Sequence, residues 1–354
     1  MQISAAKVKE LREMTGAGMM DCKKALTEAE GDMEKAVDLL REKGLGKAAK
    51  KADRLASEGL VSVEVTEDFK KATLSEINSE TDFVAKNENF QKLAQQTTLH
   101  IQTSGFESVE TLMESTLDGK NFKEYFNSQI ATIGENLVVR RFVTIEAGEN
   151  GVVNGYLHSN GRVGVIIGAK CDSEKTASAS AEFIRSLCMH AAAMKPMYLS
   201  YESLDPEFVA KETVGLIADI EKTNEEYKRL GKPLKKVPKY GSKLQLTDAV
   251  MAQAEEDIKA ELRAQNKPEK IWDKIIPGQI DRFVADNTQL DQQFTLLSQF
   301  YVMDDKKTIA QVVAEKGAEL GGSIELVEYV RFELGEGLEK KQEDFAAEVA
   351  AQIG

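Results

Sequence analysis

The sequence predicts an α+β protein in which a three-helix head precedes a duplicated α+β core with antiparallel sheets, a helical arm interrupts the second core copy, and a helix closes the chain. Three observations carry that expectation. Apolar residues recur with helical spacing through the first fifty residues and again across 206–290. Between those stretches the period shortens to two, as at Val61, Val63 and Val65. The run LVEYVRFEL at 326–334 then echoes LVVRRFVTIE at 137–146 in length and in its mix of Val, Arg and Phe, which points to a repeated unit.

Taken in order, Ser4 is placed to cap a helix with Ala5, Val8 and Leu11 on one side, broken by Thr15-Gly16-Ala17-Gly18. Cys22, Ala25, Leu26 and Ala29 make a second apolar stripe, stopped by Gly31. Asp32 caps a third helix with Met33, Ala36, Val37 and Leu40, expected to close at Gly44, so the N-terminal helical domain is bounded at 1–46. Residues 47–57 read as a basic linker. The stretch KAAKKADR at 47–54 carries four positive charges and one negative, with no aromatic residue interleaved for base stacking.

The first core subdomain, 58–148, opens with a hairpin: the alternating valines, a turn over 66–71 and a second β-like run over 72–78. Asn87 is placed to cap a helix whose core face is Phe90, Leu93, Ala94 and Thr97. An amphipathic stretch with Phe122, Phe126 and Ile130 leads to the strand at 137–146. The second core subdomain, 149–338, repeats the pattern, with strands at 153–158 and 163–171 around Ser159-Asn160-Gly161-Arg162, where Asn-Gly signals a hairpin, and an Ala-rich helix over 176–194.

Its insertion, about 206–290, is helical. Leu216, Ile220, Thr223, Tyr227 and Leu230 step by 4, 3, 4 and 3, and Ala254, Ile258 and Leu262 by 4, so two helices are expected to pair as an antiparallel arm. Two prolines, two glycines and five lysines make the tip, GKPLKKVPKYGSK at 231–243, a basic loop. In the C-terminal module, 339–354, Phe345, Val349 and Ile353 align on a helix expected over 343–353.

Composition narrows the function classes. A 354-residue chain with 42% hydrophobic and 30% charged residues is long enough for two or three domains with ordinary cores. The longest apolar run, 163–169, is far short of the ~20 residues of a membrane span, and the start MQISAAKVKE has no apolar segment after its charges, so a cytoplasmic address and no membrane partner are expected. A net charge of −13 argues against a surface that embraces nucleic acid as a whole, although a local basic patch stays open. Cys22, Cys171 and Cys188 are too scattered for a disulfide framework or a metal knuckle.

Little in the sequence is equipped for catalysis. His100, His158 and His190 form no ligand pair, and Cys188 and His190, two apart on a helix, point to different sides. Residues 44–49 fit GxGxxA but follow a helix, so they lack the strand-to-helix turn of a dinucleotide site. No catalytic, metal-binding or cofactor-binding residue is therefore assigned. Some apolar residues are oddly placed: Met19 is in register with the buried stripe, whereas Met20 falls beside Lys23 and Lys24 on the polar side, either as an adaptable contact or as an exposed residue without a role. Phe83, between Asp82 and Val84, stands where a strand ends and a helix begins, either anchoring its loop or facing a partner.

Several segments resemble the translation elongation factor Ts family: TGAGMMDCKKALTEAEGDMEKAVDLLREKG at 15–44, TDFVAKN at 81–87 preceded by NSE, Ile133-Gly134-Glu135-Asn136, and the stretches 156–164, 331–337 and 344–350. The resemblance implies a ubiquitin-associated-like head and a guanine-nucleotide exchange factor for elongation factor Tu, with the GDP-bound and nucleotide-free GTPase as partners and no enzyme activity. It implies that Thr81, Asp82, Phe83 and Val84 dislodge the partner's Mg²⁺. Arg12, Met19, Met20 and Lys23 would touch its nucleotide-binding domain, Ile133, Gly134 and His158 would add core contacts, and Val302 and Met303 would meet a more distant domain. Self-association through the core and arm is implied too, while the long arm departs from the shorter family pattern. No direct nucleic-acid contact is expected on this reading. The competing reading is an RNA-binding or ribosome-associated module using the basic linker and arm tip.

Overall fold

The computed structural model describes residues 3–158 and 160–338; the helix expected over 343–353, like the rest of 339–354, lies outside them. Helices and antiparallel sheets are mixed in an α+β chain. Contacts divide it into one unit of Met1–Gly168, Ala181–Ala192 and Val330–Gly354 and another of Ala169–Ser180 and Ala193–Tyr329.

In the first unit, α1 (Ala5–Thr15), α2 (Met19–Glu28) and α3 (Met33–Ala49) form the head around Val8, Leu11, Cys22, Ala25, Leu26 and Ala36. Ser4 and Asp32 cap α1 and α3 through their side-chain oxygens, as the sequence predicts. The third helix does not close at Gly44. It runs on to Ala49: Gly44 is buried where α3 passes Ala131, and Ala48 enters the core of the sheet that follows. Tertiary packing outweighs the roughly 1 kcal/mol that each helical glycine costs.

The first sheet has the order β1–β2–β5, from β1 (Glu58–Val65), β2 (Lys71–Ser79) and, further on, β5 (Leu137–Glu146). Between them lie α4 (Asp82–Ala85), α5 (Glu88–Ser104), α6 (Val109–Glu114), a small hairpin of β3 (Thr116–Leu117) and β4 (Lys120–Asn121), and α7 (Phe122–Ile133). Asn87 caps α5, whose Phe90, Leu93, Ala94 and Ile101 join Ile77, Phe122, Phe126 and Ile130 in one core.

The second sheet, ordered β10–β7–β6, comprises β6 (Gly151–Leu157), β7 (Val163–Cys171) and the late strand β10 (Ile324–Glu333). Within the first unit, Val61, Leu74 and Ile145 meet Val153, Ile166 and Phe332 in a shared core. The approach is close enough to demand glycine: a Cβ at Gly164 would stand 2.6 Å from Leu74 and 2.7 Å from Val61.

Glu76 brings a buried charge into this unit. The Glu76 side chain is fully buried and bonds Arg140 Nη1 at 2.9 and 3.1 Å, Arg141 Nε at 2.6 Å and the Gly335 N–H at 2.8 Å. Burial alone would raise its pKa, but the Gly335 amide and the two arginines outweigh that and hold the carboxyl below its ordinary value.

The helix α8 (Glu174–Met194) follows β7. The second unit holds the arm: α9 (Pro206–Leu230), α10 (Asp248–Ala264), α11 (Trp272–Asp286) and α12 (Gln289–Phe294). The sequence reading pairs two arm helices, yet the closest helix pair here is α10 with α11. Pro277 lies inside α11, a helix of the insertion for which the sequence reading names no apolar stripe. A hairpin of β8 (Phe300–Tyr301) and β9 (Asp304–Thr308), then α13 (Ile309–Glu319), lead into β10.

Candidate functional site

Strand β2 ends at Ser79, and two residues later the chain turns into α4, a single helical turn. Thr81 caps it by accepting from the Val84 N–H. So short a helix has no stability of its own, and its shape is imposed from outside. The Glu135 carboxylate, just past α7, accepts from the Glu80 N–H at 3.1 Å, the Thr81 N–H at 3.0 Å and the Thr81 hydroxyl at 2.6 Å. In return Glu80 accepts from the Asn136 N–H at 2.6 Å. The Asn136 side chain reaches on to the carbonyls of Ala52 and Arg54, and Lys51 bonds the Gly134 carbonyl. Residues 51–54, part of the basic linker read from sequence, are thus pinned to the turn that follows α7.

What this clasp presents is Phe83, 79% exposed. An aromatic ring left in water on a tightly held turn has no role in the chain's own core, so the anchoring reading fails. The Lys86 ammonium lies 5.9 Å from the ring centroid. Lys86 also bonds Asp82 at 2.7 Å, and this bond, followed by the charges of Lys86 and Arg162, lowers the Asp82 carboxyl below its ordinary value. Val84 turns inward against the core beneath the first sheet.

Arg162 brings a second segment to this end of the unit, since it pairs with Glu58 at 2.9 Å and the Gly161 carbonyl accepts from the Val61 N–H. On the same hairpin, exposed His158 lies 3.4 Å from the Tyr156 hydroxyl through Nδ1. Ile133 is half-buried against the core, and Gly134 takes the left-handed conformation that ends α7, with φ 92°.

The head's Arg12 and Lys23 are exposed, as are Met19 at 48% and Met20 at 63%. Met19 therefore leaves the buried stripe to which its spacing assigned it. It is the first residue of α2, where a side chain leans back beyond the helix end and finds only the Gly16–Gly18 turn. In the second unit, Val302 (52% exposed) and Met303 (78%) form the tip between β8 and β9.

The structure thus joins Thr81–Val84 to 133–136 through the clasp, while Val302 and Met303 stand in the other unit. Sequence reasoning quoted Glu80, Glu135 and Asn136 within motifs but gave them no role, because a carboxylate that caps backbone N–H groups 54 residues away leaves no local signal. Of the cysteines, Cys188 is buried with its thiol toward the Asn154 carbonyl, and burial pushes its pKa well up, which makes it a poor nucleophile. Among the described residues, no group of three or more His, Cys, Asp or Glu is arranged to hold a metal ion, and no helix is long and apolar enough to cross a membrane.

A family model described as elongation factor TS matches residues 80–336. Proteins named elongation factor Ts from Campylobacter curvus and Campylobacter concisus are each 71% identical over 354 residues, all of both chains. One of the same name from Helicobacter pylori is 58% identical over 351 residues, 99% of each chain.

Proposed function

The chain belongs to the elongation factor Ts family, and from that premise we propose that it is the guanine-nucleotide exchange factor of elongation factor Tu, binding the GDP-bound GTPase, dislodging its Mg²⁺ and so releasing GDP. The observation that carries the mechanism is Phe83, exposed on a turn that the Glu80–Glu135 clasp holds rigid.

Pre-organisation explains why a single ring can act. Burying a phenyl side chain yields roughly 1.5–3 kcal/mol, and a floppy loop would lose much of that to ordering. With the loop already set, the gain goes into displacing partner elements around the metal. Once Mg²⁺ is lost, the diphosphate lacks its main counter-charge and GDP dissociates. Thr81 and Val84 set the turn, while Asp82 and Phe83 enter the partner.

One ring is not enough by itself. Weakening GDP by a factor of ~10⁴ requires about 5.5 kcal/mol of differential binding, and by linkage GDP weakens the factor's own hold equally. The rest is supplied in our reading by Arg12, Met19, Met20 and Lys23 on the head, by Ile133, Gly134 and His158 on the core, and by Val302 and Met303 on a more distant partner domain. The same reading keeps the architecture of a ubiquitin-associated-like head at 1–46, a connection at 47–57, core copies at 58–148 and 149–338 and a terminal module at 339–354. It places the factor in the cytoplasm, and gives the core and arm a role in self-association. The factor makes and breaks no covalent bond, so it is not an enzyme.

The test is release of a fluorescent GDP from the purified GTPase. Catalytic amounts of the chain accelerate release on this reading; an unchanged rate would remove it.

A further inference from the structure

The arm tip carries a basic surface to which the exchange reading assigns no contact. From 228 to 243 the chain reads KRLGKPLKKVPKYGSK, with seven cations, Lys228, Arg229, Lys232, Lys235, Lys236, Lys239 and Lys243, and no acidic residue, in a protein of net charge −13. All seven are exposed.

The loop that bears them is built. Asn224, buried on α9, bonds Lys235 through both of its side-chain ends, donating to the carbonyl and accepting from the N–H at 2.8 Å each. Asn287, buried after α11, accepts from the N–H groups of Lys239 and Tyr240 at 2.8 and 3.1 Å. Asp291, also buried, accepts from the Lys243 N–H at 2.7 Å. Buried side chains thus fix the backbone of an irregular basic loop at three points along its length. Lys232 and Lys235 lie over the Tyr227 ring at 5.5 and 5.9 Å from its centroid, which holds two charges side by side. Of the seven, Lys236 is ion-paired, with Asp286 at 2.8 Å.

We propose that this arm tip docks the phosphate backbone of RNA. An ordered, acid-free row of cations is what a chain of phosphates recognises, and the entropy of ordering the loop has already been met. Leu230, Leu234 and Val237 are exposed beside the lysines, which raises an anionic membrane as an occupant. The backbone argues against it: 232–238 has neither helix nor strand, and irregular backbone exposed to lipid is not tolerated in the hydrocarbon region. RNA rather than DNA follows from the family's place in protein synthesis. The Tyr227 ring is already covered by Lys232 and Lys235, so the proposed binding is to backbone and carries little base preference.

The experiment measures binding of the full chain to a labelled structured RNA across a salt series, with duplex DNA, anionic phosphatidylserine vesicles and polyglutamate as separate arms. RNA binding is expected to weaken steeply with salt. The triple variant Lys232→Ala, Lys235→Ala, Lys239→Ala should reduce the slope of log K against log salt by about 2–3 and lower affinity at least roughly tenfold at low salt. Its circular dichroism and its RNA-free acceleration of GDP release should stay at the wild-type level, which separates this proposal from the exchange reading. No RNA binding at low salt, an unaltered slope in the variant, or equal or tighter binding to DNA, vesicles or polyglutamate would overturn it.

Discussion

Glu135 accepts both the hydroxyl and the N–H of Thr81, at 2.6 and 3.0 Å, across 54 residues of sequence. These bonds lock the turn in which Phe83 is displayed. The ring is positioned by a residue that is not itself expected to touch the partner.

Glu135→Gln tests that positioning. An amide can accept through one end only, so the bonds from Glu80 and Thr81 cannot all survive, and the loss should be about 1–2 kcal/mol of stability. Amide exchange at Glu80 and Thr81 should speed up, and GDP release should slow even with the chain in excess. Unchanged exchange at both amides would show that the clasp does not hold the turn.

The buried Glu76 makes the fold sensitive to acid. Its pKa is depressed in the folded state, so its contribution is complete above the ordinary value of 4.5 and fades as pH falls through the lower folded value. Urea midpoints should therefore drop below about pH 4.5 more in the wild type than in Glu76→Gln. At pH 7 that variant should lose roughly 3 kcal/mol, since Arg140 and Arg141 lose their shared counter-ion.

Gly164→Ala should cost about 1–3 kcal/mol, because its methyl group would meet Leu74 and Val61 inside ordinary contact distance. Thermal unfolding measures this directly, and a melting temperature equal to wild type would mean that the two sheet faces can part without penalty.

Much of the fold was legible in the residues. The caps at Ser4, Asp32 and Asn87 and the strand Leu137–Glu146 lie where local chemistry puts them, because each depends on neighbours in sequence. The failures depend on distant partners. Gly44 looks like a helix stop until Ala131 is seen beside it, and Met19 looks buried until the helix is seen to start there. Phe83 was legible as misplaced but not as exposed, since exposure is set by the Glu135 clasp.

His158→Ala removes an exposed ring on the hairpin that also carries Arg162. Stability should change by less than about 0.5 kcal/mol, while GDP release slows by a smaller factor than for Phe83→Ala. Full exchange activity would take His158 out of the interface.

In the proposed mechanism Phe83 acts by unseating the partner's metal. GDP release from elongation factor Tu should be followed with wild type and Phe83→Ala, first with saturating Mg²⁺ and then with the metal chelated. With Mg²⁺ present the variant should be slower by at least roughly tenfold, equivalent to about 1.4 kcal/mol, and chelation should close most of that gap. Equal rates in Mg²⁺, or a gap that chelation leaves untouched, would show that Phe83 does not act through the metal.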